Sequence, residues 1–502
     1  MKIEKLIKEL SYYSFYHLGI DELDRLYIEN TLLNRFGCTH PYEETINHTR
    51  IQLMEVPDTL IEELYKYKGE KDERFATEIF GLLTPAPSTV IRNFYELRKS
   101  DNPQDALKYL YNLQIKNNYI RKTSIDKNIH WEYKLKDNTI EIAINLSKPE
   151  KNNKDIAKLL AVNTQEKKYP ECLLCMENLG FGGTQTHPAR QNIRIIPMKL
   201  NSESFFMQYS PYSYYNEHVI IINEEHSPMH ICEATFQRLC DFVDIIPEYF
   251  IGSNSDLPIV GGSILNHEHY QGGGHIMPLM KASDRFVVID TPKLKVSYLN
   301  WFNSCIKIES SCKQTLVLCM EKIKEAWYSY DNEEINIISN KDNIRHNAIT
   351  PIVRKQNDKY IGYIILRNNR CDENFPEGIF HAHPEFHNIK KEGIGLIEAM
   401  GLFILPGRLK RQCQEIESIL IKKEMIDLEQ YFLDHEDMRI HEKFIQDIIK
   451  ESGVDLTSEK AKEVISNKIN KSCKANLENT AVFKNNTFGN QFALEFLNSI
   501  DF

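Results

Sequence analysis

The chain has 502 residues, about three times the ~150 that serve as a prior for one domain, so more than one folded unit is expected. Of these, 42% are apolar and 26% charged, which excludes a disordered or a fibrous chain. A formal net charge of -10 repels polyanions, so nucleic acid is not an expected partner.

The first residues, with Lys2, Glu4, Lys5, Lys8 and Glu9, fall where a signal peptide needs an unbroken apolar run, so a cytosolic location is expected. Residues 1–125 read as helical. Leu23, Leu26, Tyr27 and Leu33 recur at helical intervals and Gly37 follows as a stop signal. Ser88, after Pro85 and Pro87, suits a helix N-cap, and Asn102-Pro103 opens a further helix carrying Leu107, Leu110 and Leu113. At Ile129 the period changes. His130-Trp131-Glu132-Tyr133 and the alternation Ile140, Ile142, Ile144, Leu146 flank a Lys136-Asp137-Asn138 turn, which predicts a β-hairpin. Pro149 to Lys154 reads as a solvated loop.

From about 190 to 390, strand-like runs dominate: Asn192–Pro197, His218–Ile222, Phe286–Ile289 and Tyr360–Leu366. No regular strand–helix alternation accompanies them, so antiparallel sheet is expected. Between Gly393 and Gly407 the longest apolar stretch is broken by Glu398 and falls short of the ~20 residues of a bilayer span, so no membrane partner is expected. After Pro406-Gly407, helical segments return at Leu409–Met425 and Met438–Ile449. His-x-His occurs at His267/His269 and again at His381/His383, a hint of two related halves. The eleven cysteines are odd in number and scattered, so reduced thiols are expected.

The segment Gly261-Gly262-Ser263-Ile264-Leu265-Asn266-His267-Glu268-His269-Tyr270-Gln271-Gly272-Gly273-Gly274 is the most informative in the chain. On a strand, His267, His269 and Gln271 would share one face. The flanking glycines let backbone approach a ligand closely, and their N–H groups suit phosphate oxygens. An imidazole is largely neutral at cytosolic pH, and its free nitrogen can attack phosphorus if an acceptor holds the other. His269 is therefore a candidate nucleophile. The competing interpretation is a half-exposed strand with ordinary polar residues and a flexible turn.

This string resembles the active-site motif of the galactose-1-phosphate uridylyltransferases, of the histidine triad superfamily, and is closest to the second type, Gly-Gly-Ser-Ile-Leu-x-His-(Asp/Glu)-His-(Phe/Tyr)-Gln-Gly-Gly. The resemblance runs through Tyr119-Ile120-Arg121, Ile144-Asn145-Leu146-Ser147-Lys148-Pro149, Tyr249-Phe250-Ile251-Gly252-Ser253-Asn254, His381-Ala382-His383-Pro384-Glu385-Phe386-His387 and Leu405-Pro406-Gly407-Arg408-Leu409-Lys410. It implies an α+β fold with a histidine-triad-like antiparallel sheet core in two related halves, between helical N-terminal and C-terminal regions. The expected bounds are 1–125 for the helical N-terminal region, 126–300 and 301–410 for the two halves, and 411–502 for the helical C-terminal region.

The implied reaction has two steps. His269 attacks the α-phosphorus of UDP-glucose and expels glucose 1-phosphate, and galactose 1-phosphate then takes the uridylyl group. Gln271 stands where hydrolytic relatives carry a third histidine, and a neutral amide donates to phosphate without acting as a base for water. By the same match Asn254, Gly261 and Ser263 contact UDP. Lys391 and Glu398 lie where the family contacts the sugar, and His381, His383 and His387 are candidates to hold phosphate or hexose, the competing interpretation being a structural role. Glu268, where the first type has proline, is a departure that bears on strand geometry. A homodimer is a further implication.

Cys172-Leu173-Leu174-Cys175 has a spacing that suits two thiolates on one metal. The first type of the family places zinc on such a pair with two histidines, which here match His226 and His267. The competing interpretation is two unrelated cysteines and a surface histidine. That type's iron site, built partly on the second His-x-His, lacks a further ligand here, so iron is not predicted. Two rival functions stand beside the transferase: a nucleotide hydrolase or phosphorylase of the same superfamily, which Gln271 disfavours, and a non-catalytic metal-binding module.

Overall fold

The computed structural model describes residues 2–147, 169–391, 393–424 and 426–502. The loop expected at Pro149–Lys154 lies outside them. In chain order the strands are β1 (Ile129–Lys134), β2 (Thr139–Asn145), β3 (Ile196–Leu200), β4 (Glu203–Tyr209), β5 (Val219–Asn223), β6 (Phe250–Gly252), β7 (His269–Gly273), β8 (Asp284–Asp290), β9 (Lys295–Leu299), β10 (Cys305–Ser310), the two-residue β11 (Asn340–Lys341) and β12 (Ile344–Arg345), β13 (Asn347–Gln356), β14 (Lys359–Asn368) and β15 (Leu402–Pro406). The mixture is α+β, as the composition of segments predicts. None of the described helices is long and apolar enough to cross a membrane.

The chain forms two compact units, each discontinuous in sequence. The first comprises Met1–Lys127 and Lys151–His226. Its N-terminal part is helical, with Leu6, Ile7, Leu10 and Tyr13 buried along the helix Ile3–His17. The next helix, Glu22–Arg35, stops just before Gly37, whose φ of +69° is the left-handed conformation that glycine adopts without strain. Of the four residues expected on its apolar face only Leu33 is buried, while Leu23, Leu26 and Tyr27 are exposed. The buried face carries Ile28, Leu32 and Leu33 together with Arg25 and Glu29, which are joined at 2.7 Å and both reach Ser11 of the first helix. A paired charge satisfied by a neighbouring hydroxyl thus shares the inward face with apolar residues.

Two cap expectations are also revised. Ala86, not Ser88, is the N-cap of the helix Pro87–Arg98, because Pro87 takes the first helical position where its missing N–H costs nothing. The helix expected to open at Asn102-Pro103 is Gln104–Lys116, with Leu107, Leu110 and Leu113 buried.

In this unit β3, β4 and β5 form an antiparallel run. The stretch from Asn192 to Ile195, expected as strand, is not part of it. Its backbone carbonyls are satisfied by side chains of the preceding helix and its end: Asn117 donates to the Asn192 carbonyl at 2.6 Å and Gln114 to the Arg194 carbonyl at 2.8 Å. A backbone bonded in this way has no need of a ladder partner.

The second unit comprises Asn128–Glu150 and Ser227–Phe502. Its β1–β2 hairpin pairs Ile129 with Ile144 through Lys134 with Thr139, around the turn expected at Lys136-Asp137-Asn138. β15 then adds to β2 in parallel, an exception to the antiparallel expectation. The larger sheet of this unit runs β7-β6-β13-β14-β10-β9-β8 with antiparallel neighbours throughout. Trp327, on the helix Lys313–Tyr328, is fully buried, and its Nε1 donates to the carbonyls of Ala348 and Arg367 at 3.0 Å. Helices Arg408–Leu420, Glu442–Ser452, Ser458–Thr480 and Thr487–Asn498 complete the C-terminal part, which was expected to be helical.

Candidate active site

β7 begins at His269, so His269 and Gln271 share a strand face while His267 stands before it in a bend. The expectation that all three line one strand is corrected for His267. Backbone bonds from Met229 N to Leu265 O at 2.9 Å and from Glu268 N to Ser227 O at 2.7 Å hold this approach to the strand off the ladder.

His269 is buried, and its Nδ1 lies 2.8 Å from the carbonyl oxygen of His267. A carbonyl only accepts, so Nδ1 carries the proton and the lone pair is on Nε2. Burial pushes the imidazole down to about 4, outweighing the opposite pull of that carbonyl. The ring is therefore neutral near pH 7. Further along the strand, a Cβ on Gly272 would stand 2.2 Å from the Phe250 carbonyl oxygen, so close pairing of β6 and β7 requires glycine there.

Glu268 takes up a different set of partners. Its Oε1 accepts from Arg238 Nη1 at 2.8 Å and from the Tyr270 hydroxyl at 2.9 Å.

A second group gathers on residues 393–398. The Leu396 N–H donates to Asn254 Oδ1 at 2.8 Å, and the Ile394 N–H donates to His381 Nε2 at 3.3 Å. The Ile394 carbonyl accepts from Arg367 Nη2 at 2.9 Å. A Cβ on Gly395 would meet both Asn254 Oδ1 and Glu398 Oε2. Asn254, His381 and Glu398 thus converge on one segment. Burial, and then the charge of Arg367, push His381 down to about 4.

Gly261 bridges to Ser255, and a Cβ there would stand 2.5 Å from the carbonyl oxygens of Ser255 and Leu257. Within this loop Ile259 has a φ of +72°, a conformation costing a β-branched residue on the order of 1–3 kcal/mol, so the surrounding packing over-determines it. Ser263 is exposed. His383 is bonded to the Ile379 carbonyl at 3.1 Å and stacked on Phe375, and His387 is bonded to the Ala382 carbonyl at 3.1 Å. Lys391 is exposed, and it is its neighbour Lys390, buried, that pairs with Glu398 at 2.8 Å.

In the first unit, Cys172, Cys175 and His226 bring three ligand atoms within 4.8 Å of one another. The two sulfurs lie 3.6 Å apart, and Cys175 Sγ is 3.1 Å from His226 Nδ1. The N–H groups of Cys172 and Leu174 each point at a sulfur at 3.3 Å, and the Glu171 carboxylate is 3.4 Å from His226 Nε2. Thiolates stabilised by N–H donors and a histidine backed by a carboxylate are what a bound dication requires. Burial pushes the Cys175 thiol up to about 12, a penalty that a cation beside the sulfur reverses. His267, which the resemblance adds to this set, belongs to the second unit.

Arg238, Lys390 and Arg367 were not singled out from the sequence. Alternation along the motif could have paired Glu268 with Tyr270, whereas Arg238, thirty residues earlier on the helix Glu233–Ile245, left no local sign.

In class the chain is a nucleotidyltransferase, as comparison with known proteins establishes. Residues 20–228 match the family model for the galactose-1-phosphate uridyl transferase N-terminal domain, and residues 242–439 match that for the C-terminal domain. The galactose-1-phosphate uridylyltransferase of Caldanaerobacter subterraneus subsp. tengcongensis is 41% identical over 500 residues, covering 96% of this chain and 95% of the relative. That of Clostridium acetobutylicum is 45% identical over 418 residues, covering 80% and 82%. That of Fusobacterium nucleatum is 40% identical over 515 residues, covering 100% and 99%. The chain belongs to the galactose-1-phosphate uridylyltransferase family.

Proposed function

We propose that His269 is the nucleophile of a UDP-glucose–hexose-1-phosphate uridylyltransferase. Its Nε2 attacks the α-phosphorus of UDP-glucose, the bond from that phosphorus to the bridging oxygen breaks, and glucose 1-phosphate leaves. A phosphate oxygen of galactose 1-phosphate then attacks the same phosphorus, the P–N bond breaks, and UDP-galactose is released. The observation that carries this assignment is the 2.8 Å contact of His269 Nδ1 with the His267 carbonyl, which leaves Nε2 as the basic nitrogen. Splitting one displacement into two lets a single phosphate site serve both sugars.

In the same proposal Gln271 donates its amide to the transferred phosphate, Asn254, Gly261 and Ser263 line the UDP end, and His381, His383, Lys391 and Glu398 serve the sugar phosphate. The convergence of Asn254, His381 and Glu398 on residues 393–398 supports a reading in which the two ends adjoin at that segment. Zinc held by Cys172, Cys175 and His226, with His267 as the fourth ligand implied by the family, would act structurally, tying the Cys172–Cys175 loop in place. A homodimer working in the cytosol completes the proposal.

The test is exchange of labelled glucose 1-phosphate into UDP-glucose with no galactose 1-phosphate present. Wild type should exchange and a folded His269→Asn variant should not. Wild-type exchange rates in the variant would refute the assignment. Hydrolysis or phosphorolysis of UDP-glucose in place of exchange would mark the rival superfamily activity, and a folded, metal-replete wild type with no turnover would mark a metal-binding module.

A further inference from the structure

Glu268 lies between the two histidines of the motif and, with Arg238 and Tyr270, is buried, at 6%, 8% and 1% exposure respectively. Besides the two bonds to Glu268, Arg238 Nη1 lies 3.2 Å from the Tyr270 hydroxyl, so the three side chains close a triangle. A buried ion pair is rarely justified by stability alone, since apolar residues of the same volume commonly do as well. What the triangle does fix is geometry.

The His267 carbonyl and the Glu268 N–H belong to one peptide group, and a peptide group is planar and rigid. Its N–H is tied to the Ser227 carbonyl at 2.7 Å, and its carbonyl is the acceptor for His269 Nδ1 at 2.8 Å. Any rotation of that plane turns the imidazole's acceptor away. The Glu268 side chain leaves the backbone at the edge of this plane and is anchored to the helix Glu233–Ile245 through Arg238 and to β7 through Tyr270. We propose that Arg238, Glu268 and Tyr270 are positioning residues that hold the 267–268 peptide plane and thereby the tautomer and aim of His269. This inference rests on His269 being the nucleophile.

The experiment compares three variants in the exchange half-reaction: Glu268→Gln, the apolar double replacement Arg238→Met with Glu268→Leu, and Tyr270→Phe. The double replacement should keep its KM for UDP-glucose while kcat falls by about 10²-fold, the loss expected of a ~1 Å misplacement. Glu268→Gln, which keeps an acceptor for Arg238 and Tyr270, should recover most of that loss. If the double replacement does not fold, Tyr270→Phe decides: a kcat lowered by about tenfold at unchanged KM supports positioning, because only a transition-state interaction is lost. Wild-type kcat in the folded variants, or a raised KM at unchanged kcat, overturns the inference. Since His269→Asn is assayed alongside, a dead His269→Asn with active triangle variants refutes positioning alone, whereas an active His269→Asn refutes the nucleophile itself.

Discussion

Gly272→Ala is the perturbation whose size the structure states most directly. The added Cβ would lie 2.2 Å from the Phe250 carbonyl oxygen and 3.3 Å from Ile251 Cα. Ordinary contact begins at 3.4 Å, so β6 and β7 must part by about 1.2 Å, and both offending atoms are backbone that no rotamer change can move. Overpacking of this kind costs on the order of 1–3 kcal/mol, and the upper end applies when the strand ladder itself must open. His269 lies three residues before Gly272 on β7, and a ~1 Å displacement of a reacting group lowers kcat by about 10²-fold. Gly362→Ala is the control. It is also a strand glycine, but its Cβ would meet Met320 Sδ at 3.1 Å and Leu316 Cδ1 at 3.3 Å, flexible ends that yield for less than about 1 kcal/mol. Urea unfolding followed by tryptophan fluorescence suits the comparison, because Trp131, Trp301 and Trp327 all lie in the second unit. Equal unfolding midpoints for the two variants, or undiminished exchange by Gly272→Ala, would refute the reasoning.

Two further outcomes are expected. Cys172→Ser and Cys175→Ser should each lower bound zinc, measured by plasma mass spectrometry, from about one ion per chain to a trace, and should lower the thermal midpoint of the first unit; undiminished zinc would remove both cysteines from the ligand set. Asp244 is pushed up by burial, but bonds from Lys355, Tyr360 and Lys313 outweigh this and hold it below the usual carboxylate range. A depressed folded-state value contributes stability that is present above the unfolded value of ~3.9 and is lost as pH falls through the folded one. Asp244→Asn should therefore lower the thermal midpoint at pH 7 by the equivalent of no more than about 1 kcal/mol, given partial exposure, and the gap should close below about pH 4. A gap that widens in acid would contradict the sign.

Local chemistry in the sequence foretold what depends on near neighbours. The hairpin at Ile129, the helix carrying Leu107, Leu110 and Leu113, and the antiparallel character of the larger sheet could all be read from period and turn residues. So could the pairing of Cys172 with Cys175. Features set by distant partners could not. Nothing near Leu23 announces that Arg25 and Glu29 join Ile28 and Leu32 on the inward face, because the hydroxyl that satisfies them comes from Ser11 on another helix. His267 falls off the strand because Ser227 captures the Glu268 N–H. Glu268 read as a departure from proline, and its partner Arg238 shows why a charged residue is tolerated there.

The parallel pairing of β15 with β2 has a consequence for synthesis. Leu402 opposes Glu141, about 260 residues away along the chain. A ribosome adding about 5–20 residues per second takes roughly 10 to 50 seconds to cover that distance. For that interval the β1–β2 hairpin waits with one edge of β2 unpaired, and Ile140, Ile142 and Ile144, buried in the finished protein, still lack their cover. An open edge flanked by isoleucines is a template for pairing with another nascent chain. Yield in the cell should therefore be governed less by the stability of the finished molecule than by how quickly the chain between Glu141 and Leu402 emerges, and slower translation or chaperone capacity during that window would decide how much of it survives.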